Sequence, residues 1–364
     1  MRIARVDILK YHLPLVKPYF TGQTIITARE GLIVRLVCDN GFWGVGEVAP
    51  FPGLNKESLE EAISQLCEIR PKFIQAEIPV SFSLGDFFEI NGIEIFTFYP
   101  SVRFGLESAF VFILANFQDR TVTQLLYNKN IEVVQVNALL DAREPDVISQ
   151  AIRLVKDGFH TVKMKVGRQS ITDEINLLKK FHHILGDQCE LRLDANRAWT
   201  LEEAVTFGRA VRNCNIAYIE EPLQNPEKLT TFYQETQIPF ALDEYLIEIG
   251  GDLSRIPVGA AAIVIKPGVL GGVQDLIQIA RQGEKQGISP IFSCPFYSSI
   301  GSLMVAQMAT GFINKRREVG LDTLKWFKED LLQKPVEIEK SKIHLTRSSE
   351  NLQTIRYEML ETIH

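Results

Sequence analysis

The feature that most constrains this chain is an alternation of short apolar runs with helical patterns, which begins at residue 132. Eight such runs lie at residues 133–140, 160–166, 190–195, 216–221, 239–244, 260–266, 290–294 and 318–322. Near-continuous apolar strands separated by helices are typical of a parallel sheet. Eight strands in about 190 residues fit a closed barrel better than an open sheet. The sequence therefore predicts the α/β fold class, with a modified TIM-type (β/α)7β barrel over residues 132–335.

The first part of the chain has a different rhythm. Strand patterns lie at residues 2–13, 31–39 and 42–48. Asn40-Gly41, between the second and the third, is a typical hairpin turn, so these strands are expected to be antiparallel.

Helical patterns follow these strands at 56–72 and 105–128, and Asn55 is a candidate N-cap for the first helix. Residues 80–104 match no clear pattern. We predict an α+β N-terminal domain over residues 1–131, completed by the tail at 336–364.

Five of the barrel runs end in charged residues, and the carboxyl ends of barrel strands face the active site. The second run carries Lys163 and Lys165, which point to one face of a strand because side chains alternate. If both point inward, each lowers the pKa of the other, and such a lysine can accept a proton near neutral pH. The alternative is a surface strand with two solvated lysines.

The third run carries Arg192, Asp194 and Asn196 on one face. Asp194 is a candidate metal ligand and Asn196 its candidate neighbour. The alternative is a turn-forming Asp and Asn pair at the end of a strand.

The fourth and fifth runs each end in two adjacent acids, Glu220-Glu221 and Asp243-Glu244. Alternation sends adjacent side chains to opposite faces, so one acid of each pair faces inward. The alternative role for such acids is helix capping. Alternation alone does not decide which member of each pair faces inward.

The sixth run ends in Lys266, which could otherwise be a lysine that reaches the surface along its apolar stem. The intervals 194–220, 220–243 and 243–266 each match about one β/α unit. The acids are therefore expected at equivalent heights on three consecutive strands, with lysines on the strands to either side. Three converging carboxylates require a cation, and oxygen ligands suit Mg²⁺, with Mn²⁺ as a substitute.

Several phrases of the sequence resemble one known family. VKMKVG (162–167), LRLDANRAW (191–199), YIEEPL (218–223), LDE (242–244) and VIKPGVLGG (264–272) resemble the enolase superfamily, muconate-lactonising subgroup. Within it, SSIG at 298–301 and GLDTLKWF at 320–327 are similar to the o-succinylbenzoate synthase family. GVGEVAP at 44–50 resembles the capping domain of the superfamily. The resemblance covers nearly the whole chain.

The resemblance implies a role for each charged residue. Lys165 would be the base, Lys163 would tune it, and Lys266 would stabilise the anion from the opposite side. The implied Mg²⁺ ligands are Asp194, Glu220 and Asp243. The implied reaction is syn dehydration of 2-succinyl-6-hydroxy-2,4-cyclohexadiene-1-carboxylate to 2-succinylbenzoate, a step of menaquinone biosynthesis.

The resemblance also indicates substrate contacts. The candidate substrate-binding residues are Arg192, Asn196, Ser298, Ser299 and Gly301. Loops of the capping domain at residues 19–21 and 51–53 would close over the substrate. Related enzymes often carry an acid just before the paired serines, where this chain has Tyr297.

Two rival functions remain open at this point. Lysines on opposite faces also suit an N-acylamino acid racemase or dipeptide epimerase on the same scaffold. A dipeptide epimerase would be expected to have acids on the last strands, and SCPFYSSIG has none, although Asp322 follows. A barrel that serves only for binding would be expected to have lost at least one of the lysines or acids.

Bulk properties narrow the partners and the setting. The net charge is −6 and the basic residues are scattered, so nucleic acid is not an expected partner. We expect a small-molecule carboxylate substrate and no membrane association, since no run approaches the roughly 18 apolar residues of a spanning helix. The five cysteines have no CxxC pair and no export signal is apparent, which favours a cytoplasmic protein. Monomer and homo-oligomer both stay open.

Overall fold

The computed structural model describes residues 1–20, 25–78, 88–312 and 318–364. An antiparallel sheet opens the chain, with strands β1 (Ile3–Phe20), β2 (Ile25–Cys38) and β3 (Trp43–Val48). The hairpin predicted at Asn40-Gly41 joins β2 to β3, and Gly41 has φ +87°, which a residue without Cβ adopts freely. The antiparallel strands predicted from this region are confirmed.

Within the described residues, helices α1 (Leu59–Phe73), α2 (Pro100–Phe117) and α3 (Val122–Tyr127) follow the hairpin. The N-cap of α1 is Ser58, because Ser58 and Glu61 form a capping box, so the assignment to Asn55 is wrong. The helix predicted at residues 105–128 is divided into α2 and α3 by residues 118–121. In the stretch 80–104, which matched no clear pattern, residues 80–87 lie outside the described residues, and α2 begins at Pro100.

Helix α2 packs unusually close to β3. A Cβ on Gly46 would lie 1.8 Å from the carbonyl oxygen of Gly105, and one on Gly44 would lie 2.0 Å from that of Ala109. Only glycine fits at either position, so the GVG phrase lets the backbones of strand and helix come into contact. The middle of α2 is buried on all sides, consistent with its largely apolar sequence.

The barrel follows. A short strand outside the barrel sheet, β4 (Val133–Gln135), comes first. The barrel strands are β5 (Ala138–Asp141), β6 (Thr161–Lys165), β7 (Glu190–Asp194), β8 (Ile216–Glu220), β9 (Phe240–Leu242), β10 (Ala260–Ile265) and β11 (Ser289–Phe292). Its helices are α4 (Val147–Lys156), α5 (Ile171–Leu185), α6 (Leu201–Val211), α7 (Leu229–Thr236), α8 (Glu244–Glu248), α9 (Val273–Lys285) and α10 (Ser299–Ala309). Strands β5 to β11 form one parallel sheet in chain order.

Two single bridges close this sheet into a ring. Val319 bridges in parallel to Val136, and Gly320 bridges in parallel to Ser293. The last predicted run therefore lies between β11 and the start of the barrel. The prediction of a capped (β/α)7β barrel is confirmed.

The tail returns to both parts of the chain. Strand β12 (Lys342–His344) pairs with β4, helix α11 (Leu345–Glu350) follows, and β13 (Glu361–Thr362) pairs with β1. The predicted domain boundaries stay a proposal: an N-terminal domain of residues 1–131 completed by the tail at 336–364, and a barrel domain of residues 132–335. Among the described helices, none combines the length and apolar character needed to cross a lipid bilayer.

A buried carboxylate joins the N-terminal sheet to the barrel. Oε1 of Glu47, on β3, accepts hydrogen bonds from the Tyr11 hydroxyl and from the backbone N–H of Ser298, at 3.0 Å for the latter. Oε2 accepts from the Ser298 hydroxyl at 2.6 Å and from the N–H of Gly301 at 2.9 Å. Burial raises the pKa of Glu47, but all four partners are donors and favour the carboxylate.

We predict that Glu47→Gln destabilises the protein by about 3 kcal/mol, because in either orientation the amide NH₂ faces two donors. Urea unfolding would measure the difference. Glu30→Gln, an exposed position on the same sheet, is the matched control and should change stability by less than about 0.5 kcal/mol. Equal midpoints for Glu47→Gln and wild type would contradict the docking role.

Candidate active site

A cavity of about 550 Å³ lies at the carboxyl end of the barrel strands, beneath the N-terminal domain. The charged side chains that line it are Lys163, Lys165, Arg168, Asp194, Asp243, Glu244, Lys266 and Asp322. The parallel register sets Lys165, Asp194 and Glu220 at one level on neighbouring strands. The spacing of about one β/α unit predicted that these charged residues lie at equivalent heights, and the register of the sheet is the basis for this.

Lys163 lies between two buried acids. Its Nζ donates to both oxygens of Glu220 at 2.7 Å and lies 3.1 Å from Oδ2 of Asp194. Burial by itself would lower the pKa of Lys163, but Asp194 and Glu220 outweigh burial and raise it. The lowered pKa expected from two adjacent lysines is therefore wrong for Lys163, because the acids hold it charged.

The two acids beside Lys163 respond in opposite directions. Burial would raise the pKa of Asp194, but Lys163 and Lys165 outweigh it and lower the pKa to about 2. Burial, and then the charge of Asp194, raise the pKa of Glu220 well above its usual value. With only lysines to compensate them, the two acids therefore differ in the direction in which their pKa values shift.

Lys165 is engaged more weakly. Its Nζ donates to Oδ1 of Asn196 at 2.8 Å and lies 3.9 Å from Oδ2 of Asp194. The ring of Tyr19, near the end of β1, lies with its centroid 5.9 Å from the same nitrogen. Asn196 has φ +43°, and its N–H donates to Oδ1 of Asp194, so the turn after β7 fixes the amide that meets Lys165.

Lys266, at the end of β10, pairs with Oδ2 of Asp243 on the opposite side of the cavity. Burial would lower the pKa of Lys266, but Asp243, Glu244 and a third acid outweigh it and raise it. Among the described residues, no donor reaches Oδ1 of Asp243 or Oε2 of Glu244, although both atoms are buried. Orphaned buried oxygens of this kind are typical of a position where a cation belongs.

Glu220 and Glu221 point in opposite directions, as strand alternation requires. Glu221 turns away from Lys163: Oε1 accepts from the N–H groups of Asp243 and Tyr245 at 2.8 and 2.9 Å. Oε2 accepts from Arg197 at 2.8 Å. Glu221 thus fixes the backbone at Asp243, and Glu220 is the acid that faces the lysine.

The donor set fits a hard divalent cation. Asp194, Glu220 and Asp243 offer oxygen ligands from neighbouring strands, the chemistry that Mg²⁺ prefers. Within the described part of the chain, no three His, Cys, Asp or Glu side chains are already gathered for a metal ion. The lysines explain this arrangement: Lys163 separates Asp194 from Glu220, and Lys266 holds Asp243.

Four of the five candidate substrate contacts lie behind the cavity wall rather than on it. Ser298 and Gly301 meet Glu47, and the N–H of Ser299 donates to Asp330 at 2.9 Å. Arg192 is 2% exposed, and its guanidinium donates to the carbonyl and carboxylate of Glu318 at 2.7 and 3.2 Å. In the described structure these four residues support the cavity wall, and their contact with a substrate stays a prediction. Asn196 does line the cavity.

The residues that occupy this part of the wall precede the paired serines. They are Ser293, Cys294, Pro295 and Phe296. Phe296 has φ +58°, a conformation that periodicity does not reveal. Tyr297, the departure from the family pattern, stacks on Phe104 of α2 and donates to the carbonyl of Pro267 at 2.7 Å. Its role is therefore packing between the N-terminal domain and the barrel.

Comparisons with known proteins identify the family to which this chain is similar. Residues 146–349 match the family described as enolase C-terminal domain-like, and residues 3–113 match the MenC N-terminal domain. The o-succinylbenzoate synthase of Vibrio cholerae is 30% identical over 88% of this chain and 90% of that protein. The Arabidopsis thaliana chloroplastic protein PHYLLO is 33% identical over 86% of this chain. The match spans only 20% of PHYLLO.

Solved structures show the same fold. The muconate lactonizing enzyme from Pseudomonas fluorescens has a TM-score of 0.81 at 20% identity, covering 94% of both chains. The L-Ala-D/L-Glu epimerase from Bacillus subtilis has a TM-score of 0.80 at 23% identity, covering 94% of this chain and 96% of that one. At these identities the likeness establishes the fold alone.

The contacts of the two lysines predict different effects on stability. Lys163→Met removes the ammonium group that lies between two buried acids and should cost about 3 kcal/mol of unfolding free energy. Lys165→Met loses mainly one hydrogen bond and should cost about 1 kcal/mol. Urea unfolding in EDTA would measure both variants, each serving as the control for the other. Equal costs would contradict the division of charge described here.

Proposed function

This chain belongs to the o-succinylbenzoate synthase family of the enolase superfamily, and we propose that it dehydrates 2-succinyl-6-hydroxy-2,4-cyclohexadiene-1-carboxylate to 2-succinylbenzoate with Mg²⁺. The observation that carries the proposal is one cavity in which Lys165 and Lys266 face each other across buried acids. The family that the sequence phrases indicated is confirmed. Its members are hydro-lyases, so the reaction proposed for this cavity is the elimination of water from a substrate.

Lys165 is the proposed base. In its neutral form, Nζ takes the proton from the ring carbon next to the carboxylate. The same Nζ then returns that proton to the departing hydroxyl, so water leaves from the face on which the proton was removed. One lysine on one face is therefore sufficient for a syn elimination. Lys163 is less suited to the task because two acids hold it charged.

The other charged groups stabilise the anion that forms. The ammonium of Lys266 faces the developing negative charge from the opposite side. Asp194, Glu220 and Asp243 are the proposed Mg²⁺ ligands. The ion supplies positive charge that lowers the cost of deprotonating a carbon beside a carboxylate.

Aromatic side chains exclude water from this chemistry. Tyr19 and Phe51 come from the N-terminal domain, and their ring centroids lie 4.6 and 6.1 Å from that of Phe296 of the barrel. All three line the cavity. Rings along this wall limit the access of water and thereby strengthen the electrostatic contacts beside them. Of the two loops expected to close over substrate, the part at Thr21 lies outside the described residues.

We also propose a cytoplasmic setting and a small carboxylate as the partner, without nucleic acid or membrane. Support comes from the scattered basic residues and from the cysteines. Cys38, Cys67, Cys189, Cys214 and Cys294 are all free thiols.

The direct test is incubation of the protein with the cyclohexadiene substrate and Mg²⁺, followed in the ultraviolet. We expect aromatisation to 2-succinylbenzoate, lost in EDTA and restored by excess Mg²⁺. Full activity in EDTA would overturn the metal assignment. N-succinyl amino acids test the rival racemase: fast exchange of their α-proton in D₂O without dehydration of the cyclohexadiene would replace the proposed function.

A second prediction concerns the base. Lys165→Ala should lower kcat by roughly 10³-fold, the usual scale of general acid–base catalysis, with circular dichroism unchanged. Lys179→Ala, at an exposed position on α5, is the control and should keep wild-type turnover. Near-normal turnover by Lys165→Ala would contradict the assignment of Lys165 as the base.

A further inference from the structure

The turn that follows β6 is held rigid by a buried acid. Glu174 of α5 is 1% exposed. One of its oxygens accepts from the backbone N–H of Gly167 at 2.9 Å, and the other accepts from the backbone N–H groups of Arg168 and Gln169 at 2.9 and 3.2 Å. The backbone that carries Arg168 is therefore fixed, three residues after Lys165.

Arg168 lies where two cavities meet. Beside the 550 Å³ cavity is a second one of about 370 Å³. The residues that line both are Tyr19, Leu139, Lys165 and Arg168. Trp326 forms an aromatic wall of the second cavity, with its ring 5.5 Å from that of Tyr19. A ligand that contacts Lys165 can therefore extend past Arg168 without leaving a continuous groove.

The other cations of the second cavity are already paired. Lys17 lies 3.0 Å from Glu144, and Arg143 lies 2.7 Å from Asp141. Hydrogen bonds from Arg143, with a smaller contribution from the charge of Arg168, lower the pKa of Asp141 to about 2, so this acid is charged at neutral pH. For the side chain of Arg168, the described residues provide neither an ion pair nor a hydrogen bond.

We propose that Arg168 binds the distal carboxylate of a dicarboxylate substrate. The inference rests on the proposed function, whose substrate carries one carboxylate on the ring and one at the end of the succinyl chain. Lys163 and Lys266 are each paired with acids, and Lys165 is needed at the reacting carbon. Arg168 is the remaining cation among the described residues that line the first cavity, and its planar fork suits a carboxylate.

The kinetic test compares Arg168→Gln, Arg168→Lys and wild type on the cyclohexadiene substrate with Mg²⁺. Loss of a charge-assisted pair should raise KM roughly 10- to 100-fold in Arg168→Gln, with kcat within about threefold. Arg168→Lys should recover part of the loss. Arg153→Gln, at an exposed position on α4, is the control and should leave both constants unchanged. A fall in kcat with unchanged KM would overturn the inference.

A binding test keeps this inference separate from the proposed function. Calorimetry would compare 2-succinylbenzoate with 2-butyrylbenzoate, which has a methyl group in place of the distal carboxylate. Wild type should prefer the succinyl compound by roughly tenfold or more, and Arg168→Gln should lose that preference. The same preference in both proteins would overturn the role of Arg168. Absence of turnover in wild type would instead overturn the proposed function.

Discussion

Compensation of buried charge at the carboxyl end of the barrel is the constraint on which the rest of the structure depends. Asp194, Glu220 and Asp243 are 3%, 1% and 2% exposed and end three neighbouring strands. Buried like charges at such positions repel one another unless cations lie between them. Lys163 and Lys266 supply those cations from the strands on either side. The order of lysine, three acids and lysine around the barrel is therefore a condition for stability as well as for chemistry.

Two other buried carboxylates hold the N-terminal domain over this charged end. Glu47 accepts hydrogen bonds at the beginning of α10, and Glu107 accepts one from the N–H of Gln274 at the beginning of α9, at 3.0 Å. Helix N-termini carry unpaired N–H groups and partial positive charge, so a carboxylate satisfies both. Lys266 lies between β10 and α9, and the wall at Phe296 lies between β11 and α10. Docking of the domain and shaping of the cavity are therefore one set of contacts.

The barrel and its ring of charges could be predicted because both follow from local periodicity and from the length of a β/α unit. The contacts by which residues distant in the sequence support the site could not be predicted in this way. The N–H of Ser298 meets a carboxylate 251 positions earlier in the chain, and no pattern around the serines indicates that they face away from the cavity. Arg192 shares a strand face with Asp194, yet it ends on the closing segment at Glu318. Alternation gives the side of a strand but not the depth at which a long side chain ends.

The same limit applies to the two lysines of β6, and the sheet register resolves it. Lys165 pairs across the sheet with Asp194, which in turn pairs with Glu220, whereas Lys163 lies one step deeper beside Arg192. A lysine stem that begins below the acids ends among them, and one that begins level with them extends past them into the cavity. Lys163 is thereby committed to charge compensation, and Lys165 reaches the space where a substrate can be deprotonated. A single two-residue step along one strand separates the structural lysine from the proposed base.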